Sequence, residues 1–355
     1  MKAFGFLSFG HHAVSDQQGM NARDTLHAQL ELAKAADEIG VNGAYFRVHH
    51  FAPQGASPMP LLGAIIGATK NIEVGTGVID MRYENPFYLA EEAAALDLLA
   101  DGRLALGISR GSPEPAKKGW EAFGYTGEAP NGADMARKKF ELFMAAIRGY
   151  GIAEAAPLED QYPRMYQPGT SLPIFPHSQE LEKHVWWGSG TNKTAEQAAL
   201  DGVNLMSSTL VSEADGSSLG ELQADQIRAY REAWQDAGHN WTPRVSISRS
   251  IFPIVSEEDQ KQFGLLASSE DQIGYIEGAT KTTFGRTYAA EPDVLIEQLK
   301  ADPAIAAADT LMITIPNQLG VDPNLRILQN FAEHVAPALG WIPNTEGLVE
   351  GYPID

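Results

Sequence analysis

The chain has 355 residues, 46 of them acidic and 26 basic, for a formal net charge of −20. This balance, with no Lys/Arg cluster, argues against nucleic acid and anionic membranes as partners. The absence of cysteine excludes disulfides, thiolate nucleophiles and cysteine-held zinc, and no apolar run approaches the ~18 residues of a membrane span. With 44% apolar residues and no Pro/Gly/Ser-rich linker, residues 1–355 read as one large domain. The opening Met-Lys-Ala-Phe-Gly-Phe-Leu-Ser-Phe reads as a first strand rather than a signal peptide, so the cytoplasm is the expected location.

Strand one is predicted over Ala3 to Phe9, followed by a helix from Thr25 to Ile39 that Gly40 ends. Strand two runs from Gly43 to His49, and a helix from Met59 to Thr69. Ile72 to Val78 is β-rich around a Gly-Thr-Gly and forms strand three. Asn85 caps a helix over Pro86 to Ala100, where proline at the first position sacrifices no hydrogen bond. Leu104 to Ser109 is a short apolar strand fit for burial on both faces. A helix over Asp134 to Arg148 precedes an irregular section from Gly149 to Lys183. Then come strand five (His184 to Trp187), a helix (Thr194 to Leu200), strand six (Asn204 to Ser207) and a long helix (Leu219 to Ala237). Strand seven is Val245 to Val255, and Ser256 to Glu291 is a second irregular section. A helix from Pro292 to Lys300, strand eight (Thr310 to Ile315) and a helix from Leu325 to Ala338 complete the chain.

Eight strands in alternation with helices predict a (β/α)₈ barrel, with insertions at 149–183 after strand four and 256–291 after strand seven. Such barrels carry their chemistry at the C-terminal strand ends. Four groups fall there. His49 and His50 end strand two; read from the residues alone they are polar strand-closers or site histidines, and a metal site lacks a His-x-His or His-x-x-x-His pattern. Gly75-Thr76-Gly77-Val78 is a close backbone approach or a bulge set by barrel curvature. Gly107-Ile-Ser-Arg-Gly111 fits the G-x-S-x-G nucleophile elbow of serine hydrolases, although Ser112-Pro-Glu-Pro115 does not open a helix at once. Gly188-Ser-Gly-Thr-Asn-Lys-Thr194 is a small-residue turn into a helix, able to hold an anion; Thr194 with Gln197 also fits a capping box. Of the aromatics, Trp120, Phe123, Trp186 and Trp187 read as core or as pocket lining.

The run GTGV…ENPFYLAEEAAALDLLADGRLALGISRG, together with YFRVHHF, resembles the bacterial luciferase-like family of flavin-dependent monooxygenases. The likeness covers most of the chain and weakens after about Pro253; Val48 stands where that family often has Glu. The resemblance implies reduced FMN at the barrel mouth, its ring on a non-proline cis peptide at Gly77-Val78 and beside Ser109. It places the phosphate on Arg110, Ser189, Gly190, Thr191 and Thr194. It implies O₂ addition to the reduced ring, giving a hydroperoxide that oxidises a small organic substrate. His49 and Ser109 are the implied catalytic residues, with Asp80 a further candidate. It also implies a separate flavin reductase, a homodimer and no metal. An F420-dependent oxidoreductase on the same fold is the first alternative, and the serine hydrolase the second.

Overall fold

The computed structural model describes residues 1–15, 17–212, 214–276, 280–345 and 347–354. Its centre is a ring of parallel strands: β1 Ala3–Ser8, β2 Gly43–Phe46, β3 Glu73–Thr76, β4 Leu104–Ser109, β5 Val185–Ser189, β6 Asn204–Ser207, β7 Val245–Pro253 and β8 Thr310–Ile315. Pairing of Val245 with Leu205, of Ser246 with Thr310 and of Ala3 with Thr310 closes the ring. Around it lie α1 Ala22–Glu38, α2 Pro58–Ala68, α3 Pro86–Leu99, α4 Ala133–Ile147, α5 Asn192–Asp201, α6 Leu219–Ala237, α7 Glu257–Phe263, α8 Pro292–Lys300, α9 Pro303–Ala307 and α10 Val321–His334. The expected (β/α)₈ barrel is the observed fold. Among the described residues, no helix is long and apolar enough to cross a membrane.

Period-two alternation sorts the strand residues into two layers. Phe4, Phe6, Ala44, Phe46, Val74, Leu104, Leu106, Ile108, Leu311 and Ile313 pack outward against the helices in one large cluster. Leu7, Tyr45, Ala105, Trp186, Met206 and Met312 fill the barrel interior. Tyr45 fits there because two neighbours lack side chains: a Cβ at Gly43 would lie 2.4 Å from its Oη, and one at Gly5 would lie 2.7 Å from its ring. Beneath it sits a polar layer. The Tyr45 hydroxyl donates to Glu73 Oε2 at 2.7 Å, and Arg244 forks onto the same carboxylate at 2.7 and 3.0 Å.

Several boundaries differ from the sequence reading. Strand two ends at Phe46, short of His49. Arg47 N–H still donates to Ser8 O, but His49 N–H then turns to Gly55 O within its own loop. Strand three stops at Thr76, passes through a cis Gly77-Val78 bond, and rejoins the sheet at Ile79–Asp80 beside Ile108 and Ser109. Strand five runs on to Ser189, because Gly188 and Ser189 pair with Met206 and Ser207. The section 256–291 contains α7 and an antiparallel pair, Gln272–Ile276 with Thr280–Phe284, docked on Leu210–Val211. Its last strand, Thr287–Ala290, runs parallel to the end of β7. The section 149–183 carries a small hairpin, Ala153–Glu154 with Ser171–Leu172.

Candidate active site

A cavity of about 450 Å³ opens at the C-terminal ends of the strands. Val78, Asp80, Ser109, Arg110, Ser189, Gly190, Thr191 and Thr194 all line it, so residues from three parts of the sequence converge on one space. Gly77 sits behind the wall, where an added Cβ would meet Leu7 at 2.8 Å. His49 is not among the lining residues. Its ring turns to the loop after β4, with Nε2 3.2 Å from Pro113 O and 3.2 Å from Glu114 Oε2. Burial, then the Arg47 charge, lowers its pKa.

His50 has a different environment. Its ring stacks on Tyr83 at 4.0 Å and meets Phe123 edge-on at 5.5 Å. Burial and the neighbouring His49 push its pKa down to about 4, which makes it a neutral packing residue at ordinary pH. Among the tryptophans, Trp186 is interior core, Trp120 packs beside Tyr83, and Trp187 lines the cavity while touching Phe140.

The β5–α5 junction gathers hydroxyls around a helix start. Thr191, rather than Thr194, caps the helix: its hydroxyl accepts from Thr194 N–H, and Thr194 Oγ1 donates back to Thr191 O. The helix therefore begins two residues earlier than the predicted Thr194. Ser189 Oγ lies 2.5 Å from Thr194 Oγ1 and donates to Thr191 O. Gly190 has open room in front of its backbone, with nothing closer than 3.7 Å to an added Cβ. Arg110 faces the same cavity from the end of β4. A helix start, three hydroxyls and a guanidinium together make a surface whose chemistry suits an oxyanion.

On the neighbouring wall Asp80 is locked by Arg82, which bonds both its oxygens at 2.5 to 3.0 Å. A Cβ at Gly111, whose φ is +90°, would strike this carboxylate at 2.0 Å. Ser109 Oγ accepts from Gly111 N–H at 2.8 Å, and the chain stays irregular until the short 3₁₀ helix at Gly119–Phe123. The strand-to-helix turn of a serine-hydrolase elbow is thus missing around Ser109.

Sequence reasoning missed Arg47, Glu114, Ser246, Ser248, Met206 and Met312, all of which line the cavity. A signal for part of this set exists in the polar half of Val-Ser-Ile-Ser-Arg on β7, where Ser246 and Ser248 share the inward face. Glu114 arrives from a loop, which no periodicity flags.

Burial raises Glu114 to about 7 from an ordinary 4.5, and Glu84 likewise to about 7. The folded protein therefore holds these protons where the unfolded chain releases them. Stability should fall as pH rises through that window and level off above it. Glu114→Gln should flatten the fall. Denaturant midpoints of the two proteins at about pH 5 and about pH 8 check this; parallel profiles would contradict it.

A model of the luciferase-like monooxygenase family matches residues 1–283. The oxygenase component of flavin-dependent trigonelline monooxygenase from Acinetobacter baylyi is 34% identical over 280 residues, 76% of this chain and 69% of that protein. Coverage of relatives is uneven: the chain spans 55% of the length of one uncharacterised protein from Sinorhizobium fredii, at 31% identity. Two solved structures share the fold. The oxygenating constituent of 3,6-diketocamphane monooxygenase from Pseudomonas putida, in complex with FMN, has TM-score 0.67 at 18% identity, covering 99% of this chain and 100% of that one. The coenzyme F420-dependent tetrahydromethanopterin reductase from Methanopyrus kandleri has TM-score 0.59 at 14% identity, covering 94% and 100%. By the family match over 283 residues and the barrel that carries it, this chain belongs to the luciferase-like monooxygenases.

Proposed function

We propose that the protein is a flavin-dependent monooxygenase that takes reduced FMN and O₂ to oxidise a small organic molecule. The observation that carries this is the meeting of Arg110 with Ser189, Gly190, Thr191 and Thr194 at one end of a cavity. F420 reductases share the fold, but family membership and the identity to the A. baylyi oxygenase favour the oxygenase.

The residues fit FMN by their chemistry. A doubly charged phosphate matches Arg110 and the α5 start. Val78, Met206 and Met312 offer an apolar surface for a flat ring, and Gly188 keeps that space open, since a Cβ there would approach Val78 at 3.1 Å. Bound reduced flavin supplies the electrons that activate O₂. The chain's own part is to exclude water, orient the ring and hold a proton. Ser109 hydrogen-bonds at the ring edge in this reading. His49 holds or moves a proton from just outside the lining, with Glu114 as its partner.

A separate reductase delivering reduced flavin, a homodimer of the single-domain chain and a cytoplasmic location complete the proposal. Oxygen consumption by the protein with reduced FMN, scored for incorporation of one oxygen atom into an organic product, tests the reaction type. Turnover under strict anaerobiosis with F420 instead would replace this reading.

A further inference from the structure

A second arginine lines the same cavity as Arg110. Arg47 follows β2 and continues its inward series Gly43, Tyr45, so it enters the cavity two strands from β4 and three from β5. Its guanidinium lies over the Phe9 ring at 4.7 Å. That stacking occupies a face and leaves the in-plane N–H donors available. Nη2 reaches Ser112 Oγ only at 3.5 Å, a marginal hydrogen bond. Among the described residues no carboxylate oxygen lies within 4.0 Å of it. Glu114, the one acid whose charge acts on it, is instead directed at His49.

A half-buried guanidinium on the cavity wall, with one marginal side-chain bond and no carboxylate partner, has donors to offer a ligand that enters there. Burial lowers its pKa, and Glu114 only partly offsets this. The balance improves when a planar anion enters the cavity. The phosphate reading uses Arg110 and the start of α5 and gives Arg47 no part. Glu114 works the same way: held mostly as the neutral acid below about 7, it does not repel an incoming carboxylate there.

We infer that the organic substrate carries a carboxylate and that Arg47 binds it through a forked pair of hydrogen bonds. Arg47 is then a specificity residue, and the inference rests on the oxygenase reading only in calling that ligand the substrate. The site would select organic acids over their uncharged analogues.

The test uses two isosteric pairs as probes, benzoate with benzamide and hexanoate with hexanamide, titrated calorimetrically into FMN-loaded protein. In at least one pair the acid should bind about tenfold tighter than the amide, as a charge-assisted bidentate contact requires. Arg47→Gln should erase that preference while changing FMN affinity by less than about twofold; Arg47→Lys should keep part of it. Equal affinities within both pairs, no binding of either acid, or a preference that survives Arg47→Gln would overturn the inference. If FMN itself fails to bind, the same titrations in saturating inorganic phosphate still judge Arg47, which separates this failure from failure of the flavin reading.

Discussion

Replacing Arg110 by alanine is expected to weaken FMN binding by about 10- to 100-fold and to leave riboflavin almost unaffected. The two ligands share a ring and differ by the phosphate, so their ratio isolates the anion contact from the rest of the cavity. Arg110 sits where β4 ends, its charge felt by Asp80, and shares the cavity with the start of α5. The rest of that site is backbone and hydroxyl, which explains a partial rather than total loss. Thr191→Ala is a weaker version of the same experiment, because it also removes the helix cap. Fluorescence titration of both flavins into both proteins reads the result. Equal losses for FMN and riboflavin would remove the phosphate from Arg110.

The largest effect on stability should come from the opposite end of the barrel. Arg244 is buried, makes two bonds to Glu73, reaches Thr310 Oγ1 at 3.2 Å and stacks over Trp186 at 4.8 Å. Arg244→Leu leaves the Glu73 carboxylate buried beside Tyr45 with its charge uncompensated. That should cost about 3–5 kcal/mol, seen as a lower urea midpoint with an unchanged slope. Adding Glu73→Gln should recover part of the loss, since the charge is gone and the amide oxygen still accepts from Tyr45. The flavin affinity of the folded fraction should not change, because this layer lies below the cavity floor of Met206 and Met312. A double variant as unstable as the single one would show that packing, not charge, dominates there.

The barrel was legible in the sequence because its signals are local and repeated. Asn85-Pro86 opens a helix in the structure with the Asn85 side chain accepting from Phe87 and Tyr88 N–H, as the pair implies. Leu104–Ser109 is a strand buried at every position. What was not legible depended on backbone pairing that no local pattern announces. Gln272–Ile276 and Thr280–Phe284 are short and polar on one face, and they become strands by pairing with each other and with Leu210–Val211. Strand two was read three residues too long because Arg47, Val48 and His49 alternate acceptably; only the bond from His49 N–H to Gly55 O shows where the barrel lets go. The site followed the same division. The motif residues Ser109, Arg110, Gly190 and Thr191 converge on one cavity, whereas Arg47 and Glu114, single charges without a motif, needed the fold to bring them to it. The residues of the histidine pair alone do not say which ring packs and which meets a charged partner; in the fold His50 is a stacked, buried ring and His49 faces Glu114.

If this cavity binds reduced FMN as proposed, it controls the flavin's reaction with oxygen. The most direct measurement mixes the protein with reduced FMN under anaerobic conditions, admits air, and follows the return of oxidised-flavin absorbance. Reduced FMN should bind tightly and return to oxidised flavin much more slowly than free flavin does, with a spectrum in between that the protein-free control lacks. Failure to bind reduced FMN, while F420 binds and is turned over without oxygen, would contradict the proposal.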